Sequence, residues 1–313
     1  MVYELEGQSV RRSPPTLGDK KMEYFSDKER KSKPQTVDSV TPPAWGGIVA
    51  LIESLVATGA FGKQYPVICP DGGGPTGTDE ESFVLALKAE VPDVQWRLIT
   101  AEREPFAPAP ETIMALDLIR FCYQAVAKPI QGHYHSFFRH YHLSFDEEAG
   151  KDSFREKINT MFRRNGIAFV LEHGGAIKRI IPEQFKSFIS THIRTGDSVL
   201  DNMIDDAQKK FLKPDTKIRQ EAIERLWDCW ERIKTLESPN NKRNSISILL
   251  NKVSTDPVTR LLLEEKARKL TDIGNKFHIR HSEVTQIVIS DNSINDYLFY
   301  RLFAFIQMLL STR

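Results

Sequence analysis

Apolar residues recur at helical spacing in the first half of the chain and predict three amphipathic helices there. Side chains three or four residues apart share one face of an α-helix. One such stretch follows Pro42 and stops at Gly59, and glycine is common just past a helix end. The other two cover residues 81–90 and 111–127. The pattern therefore predicts an N-terminal helical domain of unknown role over residues 21–150.

The hydrophobic period changes after residue 150. Residues 153–164 keep helical spacing, but the next runs, IAFVLE and AIKRII, are β-rich and are separated by His173, Gly174 and Gly175. Glycines between two such runs are typical of a hairpin. A hairpin alone is marginally stable, so this one should pack on a helix. A helix plus β-hairpin connector is predicted over residues 151–194.

From residue 195 onwards the pattern is helical throughout. Acidic and proline residues precede several of the apolar-periodic runs, as expected for helix caps. The five predicted helices begin near Asp197, Asp215, Ile246, Asp256 and Asn295. The fourth should end near Gly274. Short links between the helices favour a bundle over residues 195–313, and the predicted fold class is mainly α.

Composition narrows the function classes. The chain has 43 Lys and Arg against 42 Asp and Glu, so no bulk charge favours nucleic acid. The three cysteines, Cys69, Cys122 and Cys229, are far apart, which argues against a disulfide framework and against a thiolate zinc site. No signal peptide or membrane span is evident. A cytoplasmic protein without cofactors is predicted, with a flexible polar arm over residues 1–20.

Half of the eight histidines fall within ten residues, in the segment GHYHSFFRHYH. They are His133, His135, His140 and His142. Imidazoles at this density can bind zinc, and alternation puts His133 and His135 on one face of a strand. No cysteine or carboxylate partner is evident from the sequence. The alternative is a polar and aromatic segment whose histidines make ordinary hydrogen bonds.

The segment IGNKFHIRHSEV, between the last two predicted helices, contains a second group of closely spaced polar and charged side chains that could act in catalysis. Arginine offers a planar, permanent charge for a phosphate, and histidine transfers protons near neutral pH. Arg280 and His281 therefore suffice for metal-free RNA cleavage if a second proton-transfer group, such as His278, is supplied. In the alternative, Arg280 pairs with Glu283 at a solvated turn, a contact that contributes about 0–1 kcal/mol.

Several segments resemble AbiJ-type abortive-infection proteins with a C-terminal HEPN-like domain. FHIRHSEV followed by DYLFYRLFAFIQMLL resembles the end of that domain, and AQKKFLKPDTKIRQEAIERLWDCWERIKTL resembles its first two helices. EYFSDKERKSKP resembles the family's N-terminal F-S-x-R motif, and INTMFRRNGIAFVLEHGGAIKRI resembles its helix-plus-hairpin connector. These landmarks occur in the family's order over most of the chain.

The resemblance implies a HEPN-like bundle that cleaves RNA without metal, in antiphage defence or as a toxin. Its candidate catalytic residues are Arg280, His281, Glu231, His278 and Asn275, with Glu231 orienting the first two and Arg219 a weaker candidate for that role. The implied partners are RNA, with tRNA as one candidate, a second copy of the chain, and a phage trigger or antitoxin-like protein. The chain departs from the usual signature because Arg280 and His281 are adjacent, whereas four to six residues normally separate them.

Two further functions remain open at this point. One is a noncatalytic HEPN-like protein of a defence system that dimerises or binds a partner, with the IRHSE segment as a structural corner. The other is a zinc-binding protein that uses the histidines of residues 133–142.

Overall fold

The computed structural model describes residues 24–29, 33–94, 109–277, 279, 287, 289 and 291–312. It divides into two units, Met1–Lys33 and Pro34–Arg313. The described part of the first unit contains one short helix, α1 (Phe25–Glu29). The second unit is built mainly from helices, so the predicted fold class is confirmed. The arm predicted over residues 1–20 lies outside the described residues.

The first part of the larger unit contains the three predicted helices and a fourth that is longer than expected. These are α2 (Pro42–Ala57), α3 (Glu80–Glu90), α4 (Thr112–Ala125) and α5 (Glu147–Arg164). Helix α5 begins six residues before the predicted start because the Asp146 carboxylate accepts the backbone N–H of Ala149 and caps it. The four helices share one core that includes Trp45, Phe83 and Phe162.

Three antiparallel hairpins are inserted among these helices. They pair β1 (Pro66–Ile68) with β2 (Pro75–Thr78), β3 (Lys128–His135) with β4 (His140–Asp146), and β5 (Phe169–Leu171) with β6 (Ile177–Arg179). The third is the predicted connector hairpin. It packs on α5, where the Asn159 amide binds both the N–H and the C=O of Leu171, at 2.8 and 2.9 Å.

The first two hairpins were not predicted, because residues 21–150 were expected to form a helical domain and a strand at His133 and His135 was considered only as part of a zinc site. Their strands lie largely at the surface. A strand that buries neither face carries no alternation of apolar and polar residues, so the hydrophobic pattern gave no signal.

Six helices follow the third hairpin. The first, α6 (Glu183–Ile189), was not predicted and lies within the range expected to be the connector. The other five correspond to the five predicted bundle helices and are α7 (Ser198–Phe211), α8 (Thr216–Ile233), α9 (Lys242–Val253), α10 (Pro257–Lys276) and α11 (Asn292–Leu310). Helix α10 continues past its predicted end at Gly274. A Cβ at that position would overlap the indole of Trp227, so this glycine provides packing space inside the helix. None of the described helices is both long and apolar enough to cross a membrane.

A buried cluster of four charged side chains connects the bundle to the residues before it. Asp38 accepts hydrogen bonds from Arg179 at 3.0 Å and from Arg219 of α8 at 2.8 Å. Arg179 also pairs with Asp296 of α11. Burial raises the pKa of Asp296 despite the attraction of the two guanidinium groups. Asp38 and Arg219 are 181 residues apart in sequence, so only the folded chain brings these charges together.

Candidate metal centre

Cys69 lies in a tight turn between β1 and β2. Its C=O accepts the N–H of Gly72 at 2.8 Å, and its own N–H donates to the C=O of Gly74 at 2.9 Å. Gly72 and Gly74 have φ values of 78° and 119°, which side chains rarely tolerate. The turn holds the Cys69 side chain inside the protein, where the residue is 2% exposed.

Three histidines of the β3–β4 hairpin meet this thiol. His135 and His140 are directly opposite each other in the ladder, and His142 follows two residues later, so all three point to one face. The Sγ atom of Cys69 lies 3.1 Å from Nε2 of His140 and 3.4 Å from Nδ1 of His135. One ligand atom from each of these four residues lies within 4.8 Å of the others.

The two sulfur–nitrogen distances are close to those of a tetrahedral zinc site. Bond lengths of about 2.3 Å to sulfur and 2.0–2.1 Å to nitrogen place two ligand atoms about 3.3–3.6 Å apart. The Nε2 atom of His142 is buried and has no hydrogen-bond partner among the described residues. A buried imidazole nitrogen without a partner is costly, and a metal bond would satisfy it. A Cβ on Gly73 would overlap the His142 ring, so the turn makes room for this ligand.

Asp71 is a carboxylate at the edge of this four-residue cluster. Its Oδ1 accepts hydrogen bonds from the Cys69 thiol at 2.6 Å and the Gly73 N–H at 3.0 Å, and its Oδ2 lies 3.1 Å from Nδ1 of His135. Burial, followed by the bond to Asp71, raises the pKa of the Cys69 thiol, while the same thiol bond lowers the pKa of Asp71. A metal must therefore displace the Cys69 proton when it binds.

The structure brings together three of the four histidines singled out from the sequence. His133 lies outside the cluster, with its ring centroid 6.3 Å from that of His142. The ladder shifts register between Gln131 and Tyr134, which interrupts the alternation that would have aligned His133 with His135.

Sequence reasoning missed Cys69. Thiolate sites are recognised from pairs of cysteines at short spacing, whereas this single cysteine is 66 residues before His135. Its local signal is the CPDGGG turn, which fixes the cysteine backbone. Cys122 and Cys229 are buried elsewhere in the fold.

Several candidate nuclease residues, namely His278, Arg280 and His281, lie outside the described residues. Glu231 is described on α8, where it pairs with Lys234 and, at 3.0 Å, with Lys242. Asn275 lies in the last turn of α10. Arg219 belongs to the buried charge cluster.

Two tryptophans fix α8 beside the end of α10. Trp227 donates its indole N–H to the C=O of Leu270 at 3.1 Å, and Trp230 donates to the Thr271 hydroxyl at 3.2 Å. These contacts lie about one turn before Asn275. They bring the helix that carries Glu231 alongside the end of α10.

Comparison with known proteins gives one match. A family model described as AbiJ N-terminal domain 4 matches residues 23–195, which is more than half of the 313-residue chain. This range contains Cys69 and the three clustered histidines. Neither the curated proteins nor the solved structures contain a match.

Proposed function

The chain belongs to the AbiJ N-terminal domain 4 family of abortive-infection proteins, and we propose that this domain binds one zinc ion. The proposed ligands are Cys69, His135, His140 and His142. The observation that carries the proposal is the convergence of one thiol and three imidazoles around a buried histidine nitrogen that lacks a hydrogen-bond partner.

The ligand chemistry favours zinc over other common ions. A thiolate with three imidazoles is a soft to borderline set, which suits zinc and excludes magnesium and calcium, both of which require oxygen ligands. Four protein ligands complete a tetrahedron and leave no open position for a substrate or an activated water. The proposed zinc therefore has a structural role, and it joins the β1–β2 turn to the β3–β4 hairpin.

Metal analysis of the purified chain tests this proposal. We expect about one zinc per chain in the unaltered protein and less than about one tenth of that in His140→Ala, since a structural site requires all four ligands. His133→Ala is the matched control, because it removes a histidine of the same hairpin that lies outside the cluster. Equal zinc content in all three proteins, or none in the unaltered chain, would overturn the proposal.

As a second candidate function, we propose that the C-terminal bundle is a metal-independent endoribonuclease of the HEPN type. Ile279 is 2% exposed and belongs to the bundle core, while Phe277 and Ile287 form a parallel β-bridge. These contacts fix the chain immediately before Arg280 and again six residues after His281. The specific support is thus that described residues on both sides of Arg280 and His281 make contacts within the fold.

In the proposed reaction the ribose 2′-oxygen attacks the adjacent phosphorus and the 5′-oxygen leaves, giving a 2′,3′-cyclic phosphate. His281 takes the 2′-hydroxyl proton or donates one to the 5′-oxygen, and Arg280 stabilises the charge on phosphorus. His278, or a histidine from a second copy of the chain, supplies the other proton transfer. Glu231 and Asn275 orient these groups. A homodimer with RNA at its two-fold axis, controlled by a phage trigger or an antitoxin-like partner, completes this proposal.

Induced expression in bacteria tests the nuclease. We expect the unaltered chain to arrest growth and to produce new RNA fragments on a gel, and we expect both effects to vanish in Arg280→Ala and His281→Ala, because each removes a group needed in the transition state. His192→Ala, an exposed histidine before the bundle helices, is the control at equal protein level. If no arrest occurs, the cultures are infected with phage and the comparison is repeated; arrest that survives both catalytic substitutions contradicts the assignment.

A further inference from the structure

The β3–β4 hairpin ends in an exposed group of aromatic side chains. This aromatic tip consists of Tyr134, Phe137, Phe138 and Tyr141, together with Arg139. Phe137 is 81% exposed, and the other three rings are between 37% and 45% exposed. The four aromatic side chains form one contiguous exposed group, and contiguous apolar surface of this kind commonly marks a binding site, whereas single exposed hydrophobic residues do not.

Two of the proposed zinc ligands, His135 and His140, pack against the aromatic tip. The Phe138 ring stacks on His140 with an interplanar angle of 5°, and it meets the edge of His135 at 4.9 Å. On the opposite face of the ladder, Tyr134 and Tyr141 form a cross-strand pair with centroids 4.9 Å apart. The aromatic rings are therefore held in place before any partner binds, which lowers the entropic cost of binding.

The charge of the hairpin indicates the partner. The hairpin, residues 128–146, contains Lys128, Arg139 and one carboxylate, Asp146, which lies opposite Lys128 at the end away from the tip. Arg139 is exposed at the turn, and no carboxylate of a described residue pairs with it. A zinc ion bound by one thiolate and three neutral imidazoles would add a net charge of +1, which the adjacent Asp71 carboxylate offsets. The positive charge at the tip is therefore that of Arg139, and it favours an anionic partner.

We infer that the aromatic tip binds single-stranded nucleic acid, with unpaired bases stacking on Phe137 and Tyr134 and a phosphate beside Arg139. Aromatic rings beside a positive charge are the combination that single strands require, because every base has a stacking face and every nucleotide carries a phosphate. The inference rests on the proposed zinc site only in that zinc holds the hairpin. It gives the N-terminal domain a ligand separate from the RNA cleaved at Arg280 and His281.

Fluorescence anisotropy with a labelled oligothymidine of about 20 nucleotides tests the inference on the full chain. This probe has no 2′-hydroxyl, so the proposed cleavage reaction cannot consume it. We expect Phe137→Ala and Tyr134→Ala each to weaken binding about tenfold or more. The control is Phe25→Ala, a phenylalanine that is 79% exposed in the other unit, and it should change affinity less than about twofold.

Two further measurements sharpen the test. Arg139→Gln should reduce the slope of log affinity against log salt by about 0.7, the value for one phosphate contact on a single strand. A fully paired duplex should bind about tenfold more weakly than the single strand, because its base faces are already stacked.

The failures of this inference and of the zinc proposal are distinguishable, because zinc content is measured on every variant. Loss of binding in Phe137→Ala with zinc retained supports the nucleic-acid site. The same loss in a protein that never held zinc also supports it and overturns only the zinc proposal. No binding by the unaltered chain, or affinity unchanged in both aromatic variants, overturns the inference. It is also overturned if Phe137→Ala dissociates a dimer that does not bind the probe, since the tip would then be a protein interface.

Discussion

Cys69→Ser is expected to lower the melting temperature of the chain by about 5–15 °C, since a metal bound only to the folded state stabilises it in proportion to ligand excess over Kd. Serine keeps the size of the side chain but supplies a much poorer zinc ligand. Removing zinc from the unaltered protein with a chelator should give a similar decrease. Differential scanning calorimetry with and without chelator measures both effects.

The chelator separates the loss of metal from the loss of packing. Cys69→Ser should not respond to it, whereas His133→Ala should melt near the unaltered protein and should remain sensitive. If Cys69→Ser melts low but still responds to chelator, the serine has disturbed the CPDGGG turn and the thiol is not a ligand. If the chelator leaves the unaltered protein unchanged, no structural metal is present.

The largest expected loss outside the metal site comes from Asp38→Ala, at about 3–5 kcal/mol of unfolding free energy. The substitution leaves Arg179 and Arg219 buried without their shared carboxylate, and their side chains are 6% and 4% exposed. Part of this charge would remain uncompensated, because Asp296 alone would face two guanidinium groups. Urea denaturation followed by tryptophan fluorescence measures the change, since Trp45, Trp227 and Trp230 are buried in the folded chain.

Two other variants serve as comparisons for the loss of unfolding free energy in Asp38→Ala. Glu172→Ala removes a surface ion pair with Lys178 and should cost less than about 1 kcal/mol. Asp296→Asn should cost less than Asp38→Ala, because burial already raises the pKa of Asp296 and so disfavours its charged form. A raised pKa means that this carboxylate opposes folding at neutral pH and that the opposition fades as pH falls through the folded-state pKa. An Asp38→Ala loss no larger than that of Glu172→Ala would contradict the account of the cluster.

The longer helices could be predicted from the sequence because their apolar faces are buried, whereas α1 and α6, of 5 and 7 residues, are too short to show a helical period. Asp197, Asp215 and Asp256 each accept backbone N–H groups at the starts of α7, α8 and α10, as the capping rules predict. Gly274 was misread, because a glycine that ends a helix and one that makes room for an indole look the same in one dimension. The β3–β4 hairpin was missed because exposed strands leave no hydrophobic alternation.

The histidines of the candidate metal site could be identified from the sequence, but Cys69 could not. The four histidines of residues 133–142 made zinc binding an alternative function, because strand alternation places histidines two residues apart on one face. Cys69 could not be assigned to them, because the contact depends on where two separate hairpins pack and no spacing rule carries that information. The buried charge cluster could not be predicted either, because its members, such as Asp38 and Arg219, are far apart in the sequence and meet only in the folded chain. The nuclease assignment depends on a family resemblance and on residues beyond the described ones, so it stays a prediction.

X-ray absorption at the zinc edge on the purified chain identifies the atoms bound to the metal. We expect one sulfur at about 2.3 Å and three nitrogens at about 2.0–2.1 Å, with the sulfur absent from any zinc retained by Cys69→Ser. If the zinc of the unaltered protein has only oxygen and nitrogen neighbours, Cys69 is not a ligand and the proposed site is wrong.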